Sequence, residues 1–382
     1  MKQGEFVMDF VRLSDLLDQA EQKWHVPACE CVVYIDHHKV FYHSAGFSDA
    51  KRTAPAGPGD TYFIYSFTKL FTMTLTMRLI EKGFLSLTDP VEKYLPAWMS
   101  AAVRQGERVI PSPVKPTVFH LMTMTAGLNY SLSAAPIQEL LARSPETVTL
   151  RMLADRLAEA PLDFIPGERF QYSLCHDLLG AVLESATGRT FSDLMRENLF
   201  EPLGMTTTTF FPTTAHLQAM SQPYQYDAST DSLLCLEKTN PFVFSPGFAS
   251  GGAGLVSVSS ELILLCDALA CGGVTSSGER ILSEESLRLM TKDHMTPAQK
   301  KVFNQMKPHP YSYGLGVRTL TADTGKARAG EFGWDGAAGA YNLMDRERRL
   351  SLVYTQHILD HGMSFSEIHP LLRDLIYEIV ET

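Results

Sequence analysis

Apolar residues recur at helical spacing from Val7 to Trp24, through Met8, Val11, Leu13, Leu16, Leu17 and Ala20, and this predicts an amphipathic opening helix. The period then changes to that of strands. Cys29 to Ile35 is rich in β-branched and aromatic residues, Asp36 to Lys39 is a polar turn, and Val40 to His43 runs back, so the segment reads as an antiparallel hairpin. After a polar loop from Ser48 to Asp60, Ser66 to Lys82 reads as a long helix. Phe67, Leu70, Phe71, Leu75, Leu79 and Ile80 occupy most of its sides, and Gly83 stands where it ends. A helix apolar nearly all round belongs at the centre of a fold.

The middle of the chain, 86–230, is loop-rich, with helical patches at Ile137 to Arg143, Leu150 to Ala160 and Asp177 to Ala186 between many Pro and Gly. Strand patterns return at Tyr313 to Arg318, Ala340 to Met344 and Leu350 to Tyr354. The charged turn Asp345 to Arg349 joins the last two, and a helix from Phe365 to Val380 closes the chain. This order predicts an α+β fold in which both termini (1–85 and 231–382) build one antiparallel sheet flanked by helices. A mainly helical lobe (86–230) is inserted, with the active site between the two. No internal repeat or low-complexity tract interrupts the pattern.

Composition narrows the function classes. Among 382 residues, 33 Lys+Arg face 43 Asp+Glu for a net charge of -10, which excludes a nucleic-acid binder that depends on clustered excess Lys and Arg. With 45% hydrophobic and 20% charged residues the chain has the make-up of a folded protein. The opening MKQGEFVMDF carries Glu5 and Asp9 and lacks an apolar core, and the charge-free stretches 116–138 and 239–260 are broken by polar residues, Gly and Pro. Neither an export signal nor a membrane span is expected. Cys29, Cys31, Cys175, Cys235, Cys266 and Cys271 show no CxxC pairing and are expected as reduced, small hydrophobes of a cytoplasmic protein. No two histidines have metal-ligand spacing, and His37-His38 falls in a polar turn, so neither a metal nor another cofactor is expected.

Candidate chemistry sits at the start of the buried helix. Ser66 and Lys69 form a Ser-x-x-Lys whose three-residue offset puts both side chains on one helical face. A serine hydroxyl attacks only when a neighbour takes its proton, and a lysine does so when desolvation lowers its pKa, which an apolar helix would supply. The helix start also aims the Ser66 N–H at charge developing on an attacked carbonyl. About one such tetrapeptide per chain of this length is expected by chance. Ser48 to Lys51 and Ser112 to Lys115 share the spacing, but both lie in loops without an apolar helix behind them.

Other segments single out Ser66. IYSFTKLFTMTLTMRLIEKGFLSLTDPVEKYLP, HLMTMTAGL, PGERFQYSLCHDLLGAVLE, FEPLGM, GGAGLVS and FGWDGAAG, in that order, resemble the serine β-lactamase-like family, which includes class C β-lactamases, penicillin-binding DD-peptidases and related esterases. The resemblance runs from about Val26 to Tyr354. It implies a β-lactamase/transpeptidase-like fold, with Ser66 as the acylated nucleophile and Lys69 as its proton acceptor or electrostatic partner. The family's Tyr-x-Asn falls on Tyr172-Ser173-Leu174, which makes Tyr172 the implied proton shuttle and puts Leu174 in place of the asparagine. Tyr130-Ser131-Leu132 has the same letters but lacks the Pro166-Gly167 that precedes Tyr172 and the helix that follows it, so it is read as a decoy. The third motif, Lys-Thr-Gly or His-x-Gly in penicillin-recognising members, aligns with Trp334-Asp335-Gly336. Its strand is expected to face Ser66 and to supply a second oxyanion N–H from Ala337. Asp335 receives no role. His176 is read as a capping or surface residue, and His120 as part of a structural connection in which Met124 replaces a frequent second histidine.

Two departures from the family pattern favour an ester over a β-lactam. Leu174 removes an amide that could bind an acylamino group, and Trp334 removes a cation that could pair with a carboxylate, each contact being worth about 1.5 to 3 kcal/mol. The chain is therefore read as a serine hydrolase acting on small neutral esters through an acyl-enzyme. A β-lactamase or D-amino-acid peptidase, and a slowly acylating or non-catalytic penicillin-binding-like module, stay open because nucleophile, lysine and tyrosine are all present. A small ester or amide is the expected partner. The acyl group, the alcohol and the oligomeric state are open.

Overall fold

The computed structural model describes residues 8–381. Strands from both ends of the chain build one seven-stranded antiparallel sheet: β1 (Ala28–Ile35), β2 (His38–Gly46), β3 (Tyr311–Tyr313), β4 (Arg318–Leu320), β5 (Phe332–Gly333), β6 (Tyr341–Asp345) and β7 (Leu350–Thr355). Their order is β2-β1-β7-β6-β5-β4-β3. The amino-terminal hairpin thus joins the carboxyl-terminal strands through β1 and β7, with Glu30 opposite Thr355 and Val32 opposite Val353. The α+β architecture read from the sequence is the one observed.

Five helices matter for the site: α1 (Val11–Asp18), α2 (Thr68–Glu81), α3 (Cys175–Thr187), α4 (Ser259–Ala270) and α5 (His369–Glu381). All residues of β6 and β7 are buried, as befits strands covered on both faces. Helix α4 lies against β1, β6 and β7, while α1 packs on β2 and on α5. Helix α5 is tied to the sheet by Tyr377, whose hydroxyl donates to Asp345 at 3.0 Å. Helix α2 is buried along almost its whole length, and its threonines close their own hydrogen bonds: Thr74 donates to the Leu70 carbonyl and Thr76 to that of Thr72.

Several boundaries differ from the sequence reading. Within the described residues the opening helix breaks at Gln19 into α1 and Ala20–Trp24, while Val7 lies outside them. The stretch read as one strand, Tyr313 to Arg318, is the turn between β3 and β4. Gly316 takes φ +75°, and the Gly314 N–H closes the turn on the Val317 carbonyl, a reversal hidden by the apolar Leu315 and Val317. The polar middle of the chain also holds two hairpins the periodicity missed, Ala102–Gln105 with Arg108–Pro111 and Tyr224–Asp227 with Ser232–Cys235. All six cysteines are free, and only Cys235 is exposed. No helix among the described residues is long and apolar enough to cross a membrane.

Candidate active site

Ser66 lies in a 3-10 turn, Tyr65–Phe67, that runs into α2. The preceding Tyr65 has φ +44°, a left-handed conformation that costs a non-glycine residue about 1 to 2 kcal/mol. Rings of Phe63, Phe242 and His357 packed around Tyr65 hold it there.

One helical turn further, Lys69 is fully buried. Its Nζ donates to Ser66 Oγ at 3.1 Å, Tyr130 Oη at 3.2 Å and the Gly252 carbonyl at 2.7 Å. Three acceptors match the three donors of an ammonium. Burial works against the charge, but the oxygens of Tyr130 and Tyr172, with Asp177 behind them, outweigh it and raise the Lys69 pKa above the usual lysine value. The sequence reading, in which desolvation lowers that pKa, is therefore reversed: acceptors arrive from segments far away in the chain.

The GGAGLVS motif delivers one of them. A Cβ on Gly251 would fall 2.5 Å from the His176 carbonyl, and one on Gly252 would fall 2.7 Å from Asp177, so only glycines let this loop close on the start of α3. Asp177 accepts from Ser250 Oγ at 2.6 Å and the Gly252 N–H at 3.3 Å, and Thr72 donates to the Gly251 carbonyl at 2.6 Å. The loop is thereby fixed with the Gly252 carbonyl turned to Lys69.

Tyr172 and Trp334 form the opposing wall. The Trp334 Nε1–H donates to Tyr172 Oη at 3.0 Å, and Lys69 Nζ lies 4.7 Å from the Tyr172 ring centroid. The rings of Tyr130, Tyr172 and Trp334 follow one another at 5.5 Å spacings. Trp334 is held by Asn342 of β6, which accepts from its N–H at 3.0 Å and donates to its carbonyl. Next in the chain, a Cβ on Gly336 would meet the Ile64 carbonyl at 2.5 Å; glycine is what allows this turn to approach the segment leading into Ser66. Ser66, Tyr172, Trp334, Asp335, Gly336 and Ala337 together line a cavity of about 360 Å³, completed by Met306, Lys307 and Phe365. A larger groove of about 640 Å³ over Thr149, Glu184 and Arg189 holds none of these residues.

The remaining candidates fall elsewhere. Leu174 is buried in the core at the start of α3 and does not line the cavity, so it touches no substrate there. His176 is neither a surface nor a capping residue: it is fully buried beside Met73 and Gly316, and burial, with help from the Lys69 charge, pushes its pKa well below the usual histidine value. His120 closes a capping box with Thr117, a structural role. Asp335, unassigned from sequence, is buried between Arg318, whose Nη1 donates to it at 2.5 Å, and Lys307. Among the described residues one set of metal-type donors converges, His37, Asp267 and Cys271, within 4.8 Å of one another; His37 and Asp267 already share a 2.6 Å hydrogen bond, and none of the three lines the cavity.

Tyr130, set aside as a decoy, stands directly against Lys69. Its surrounding letters do not announce this, because the contact depends on a loop folding back across the start of α3. The Gly252 carbonyl and Lys307 were equally hidden: one is a backbone atom, the other lies outside every motif.

Comparisons with known proteins bear on the family and the fold. Esterase EstB of Burkholderia gladioli is 27% identical over 394 residues, covering 96% of this chain and 94% of EstB. Protein Rv1367c of Mycobacterium tuberculosis is 29% identical over 330 residues, 82% of each chain. Among solved structures, EstCE1, described as a hydrolase with promiscuous acyltransferase activity, has a TM-score of 0.78 at 24% identity, covering 96% of this chain and 97% of its own. Simvastatin synthase (LovD) of Aspergillus terreus has a TM-score of 0.81 at 20% identity, covering 97% and 98%. The Beta-lactamase family profile matches residues 13–374, and because that span takes in the sheet, the buried helix and the cavity alike, the chain belongs to the beta-lactamase family and is a hydrolase of the beta-lactamase fold.

Proposed function

We propose that the protein is a serine esterase that works through an acyl-enzyme on Ser66. The observation that carries this reading is the 3.1 Å contact between Ser66 Oγ and a fully buried, threefold hydrogen-bonded Lys69, at the wall of a cavity that also presents Tyr172. In the first half-reaction Ser66 Oγ attacks the ester carbonyl and gives up its proton towards Tyr172. Tyr172 takes that proton as a phenolate, whose negative charge the ammonium of Lys69 beside the ring and the Trp334 N–H on its oxygen stabilise until the proton arrives. The N–H groups of Ser66 and Ala337 stabilise the tetrahedral oxyanion. Its collapse expels the alcohol, which takes the proton back, and leaves the acyl group on Ser66. Water then repeats the sequence, releasing the acid and regenerating Ser66.

Preference for an ester over a β-lactam is supported by the esterase relative EstB. Acyl p-nitrophenyl esters assayed beside a chromogenic cephalosporin test the choice. Higher kcat/KM on the best ester is expected; higher kcat/KM on the cephalosporin would make the protein a β-lactamase. Intact-mass analysis after fluorophosphonate treatment tests the mechanism: one adduct on Ser66 is expected, and an adduct without turnover of any ester would make the protein a binding module.

A further inference from the structure

We propose that Lys307 is an anion-recognition residue of this cavity, so that the ester it accepts carries a carboxylate. The inference rests on the acyl-enzyme reading of Ser66 and adds the charge class of the substrate to it. Reading the sequence alone, the site loses its cation when Trp334 occupies the third motif. The tertiary structure returns one from a different segment: Lys307 lines the same cavity as Ser66 and Tyr172, with its side chain 15% exposed.

The position is built. Lys307 follows a short helix, Pro297–Phe303, and its N–H donates to the Phe303 carbonyl at 3.0 Å. Its own carbonyl accepts from Asn304 Nδ2 at 2.9 Å, and the same amide donates to the Tyr311 carbonyl at 2.8 Å, which ties the loop to β3. The ammonium lies over the Phe365 ring at 5.5 Å. Among the described residues Nζ has a single hydrogen-bond partner, Asp335, so two of its three donors are left for the cavity.

Asp335 takes one donor of that ammonium and shares its other oxygen with the fully buried Arg318, which pairs in turn with Glu331 at 3.2 Å, so two carboxylates balance two cations in the cluster. Glu331 is fully buried and does not line the cavity; on the cavity wall Lys307 stands beside Asp335 and keeps its two remaining donors. The wall therefore offers a held ammonium amid Met306, Trp334, Ala337 and Phe365, surroundings of low polarity in which a carboxylate–ammonium contact is strong.

Two substrate pairs test this in a pH-stat. Monoethyl adipate against diethyl adipate puts the carboxylate on the acyl side; 4-acetoxybenzoate against its methyl ester puts it on the leaving side. The readout is the acid-to-neutral ratio of kcat/KM in the wild type divided by that ratio in Lys307→Met, which cancels intrinsic reactivity and any uniform loss caused by the substitution. For at least one pair we expect about tenfold or more, the size of a charged hydrogen bond, with Lys307→Arg keeping most of it. A quotient of one for both pairs, with the neutral esters cleaved, overturns the inference and leaves the esterase reading standing. If no ester is cleaved and Ser66 takes no fluorophosphonate, both fall together.

Discussion

Replacing Tyr130 by Phe tests how proton transfer is divided between the two tyrosines around Lys69. The substitution preserves the ring against Tyr172 at 5.5 Å and Phe242 at 5.7 Å and removes only the oxygen 3.2 Å from Lys69 Nζ. A hydrogen bond to a charged group contributes about 1.5 to 3 kcal/mol, so the expected loss in kcat/KM on p-nitrophenyl butyrate is about ten- to 150-fold. Lys69 keeps Ser66 Oγ and the Gly252 carbonyl, and Tyr172 keeps its Trp334 donor, so Ser66 should still be labelled by a fluorophosphonate. Tyr172→Phe removes the proposed proton acceptor itself and should lose about 10² to 10⁴ in kcat. The pH profile supplies a second test. Tyr130 is among the groups that raise the Lys69 pKa, so without its oxygen Lys69 sheds its proton at lower pH, and the alkaline limb of kcat/KM should move towards neutrality. Initial rates across the alkaline range, with labelling by intact mass, decide the matter. A Tyr130→Phe loss as large as that of Tyr172→Phe, with labelling abolished, would put the proton on Tyr130; no change in rate or pH profile would mean that the contact carries nothing.

Ser66→Ala should abolish hydrolysis and labelling, whereas Ser48→Ala, in a Ser-x-x-Lys that does not line the cavity, should leave both intact; turnover by Ser66→Ala would remove the mechanism. Lys69→Ala and Tyr172→Phe should combine to lose far less than the product of the single losses, because both act on one proton, and strict multiplicativity would separate them. Gly336→Ala places a methyl 2.5 Å from the Ile64 carbonyl and should lower kcat through displacement of Ala337, with a loss of stability of about 1 to 3 kcal/mol in a denaturation curve. Glu30, fully buried beneath the Tyr42 and Tyr62 hydroxyls, has its pKa pushed up to about 7 by burial. Below about pH 4.5 it is protonated folded and unfolded alike; as pH rises from there to about 7 only the unfolded chain ionises freely, so the group subtracts stability over that window. Glu30→Gln should therefore raise Tm more at pH 8 than at pH 4, and an equal shift at both would refute the assignment.

Local chemistry made much of this protein legible from its residues. The hairpin of β1 and β2, the buried helix behind Ser66 and the strands β6 and β7 follow from apolar periodicity, because hydrophobic burial acts on each segment through its own face. Ser66 and Lys69 share one helix face at a three-residue spacing, whereas the choice of this Ser-x-x-Lys over its two copies, and Tyr172 and the Trp334 turn, came into view through the resemblance of their segments to the serine β-lactamase-like family. Where a turn is built from apolar residues, as between β3 and β4, periodicity does not distinguish it from a strand.

What tertiary structure decided is how segments remote in sequence meet. Lys69 is held by a carbonyl from Gly252 and keeps its charge beside the oxygens of Tyr130 and Tyr172, and none of these contacts is written in the letters around Ser66. Leu174, four residues before Leu178 on α3, was expected on the cavity wall but turns into the core, because the helix that follows it directs its side chain. Asp335 becomes intelligible only once Arg318 from β4 and Lys307 from another loop close around it. Electrostatic energies depend on distance and on exclusion of water, and both are properties of the assembled fold; a sequence names the charged groups, and packing determines which of them face one another.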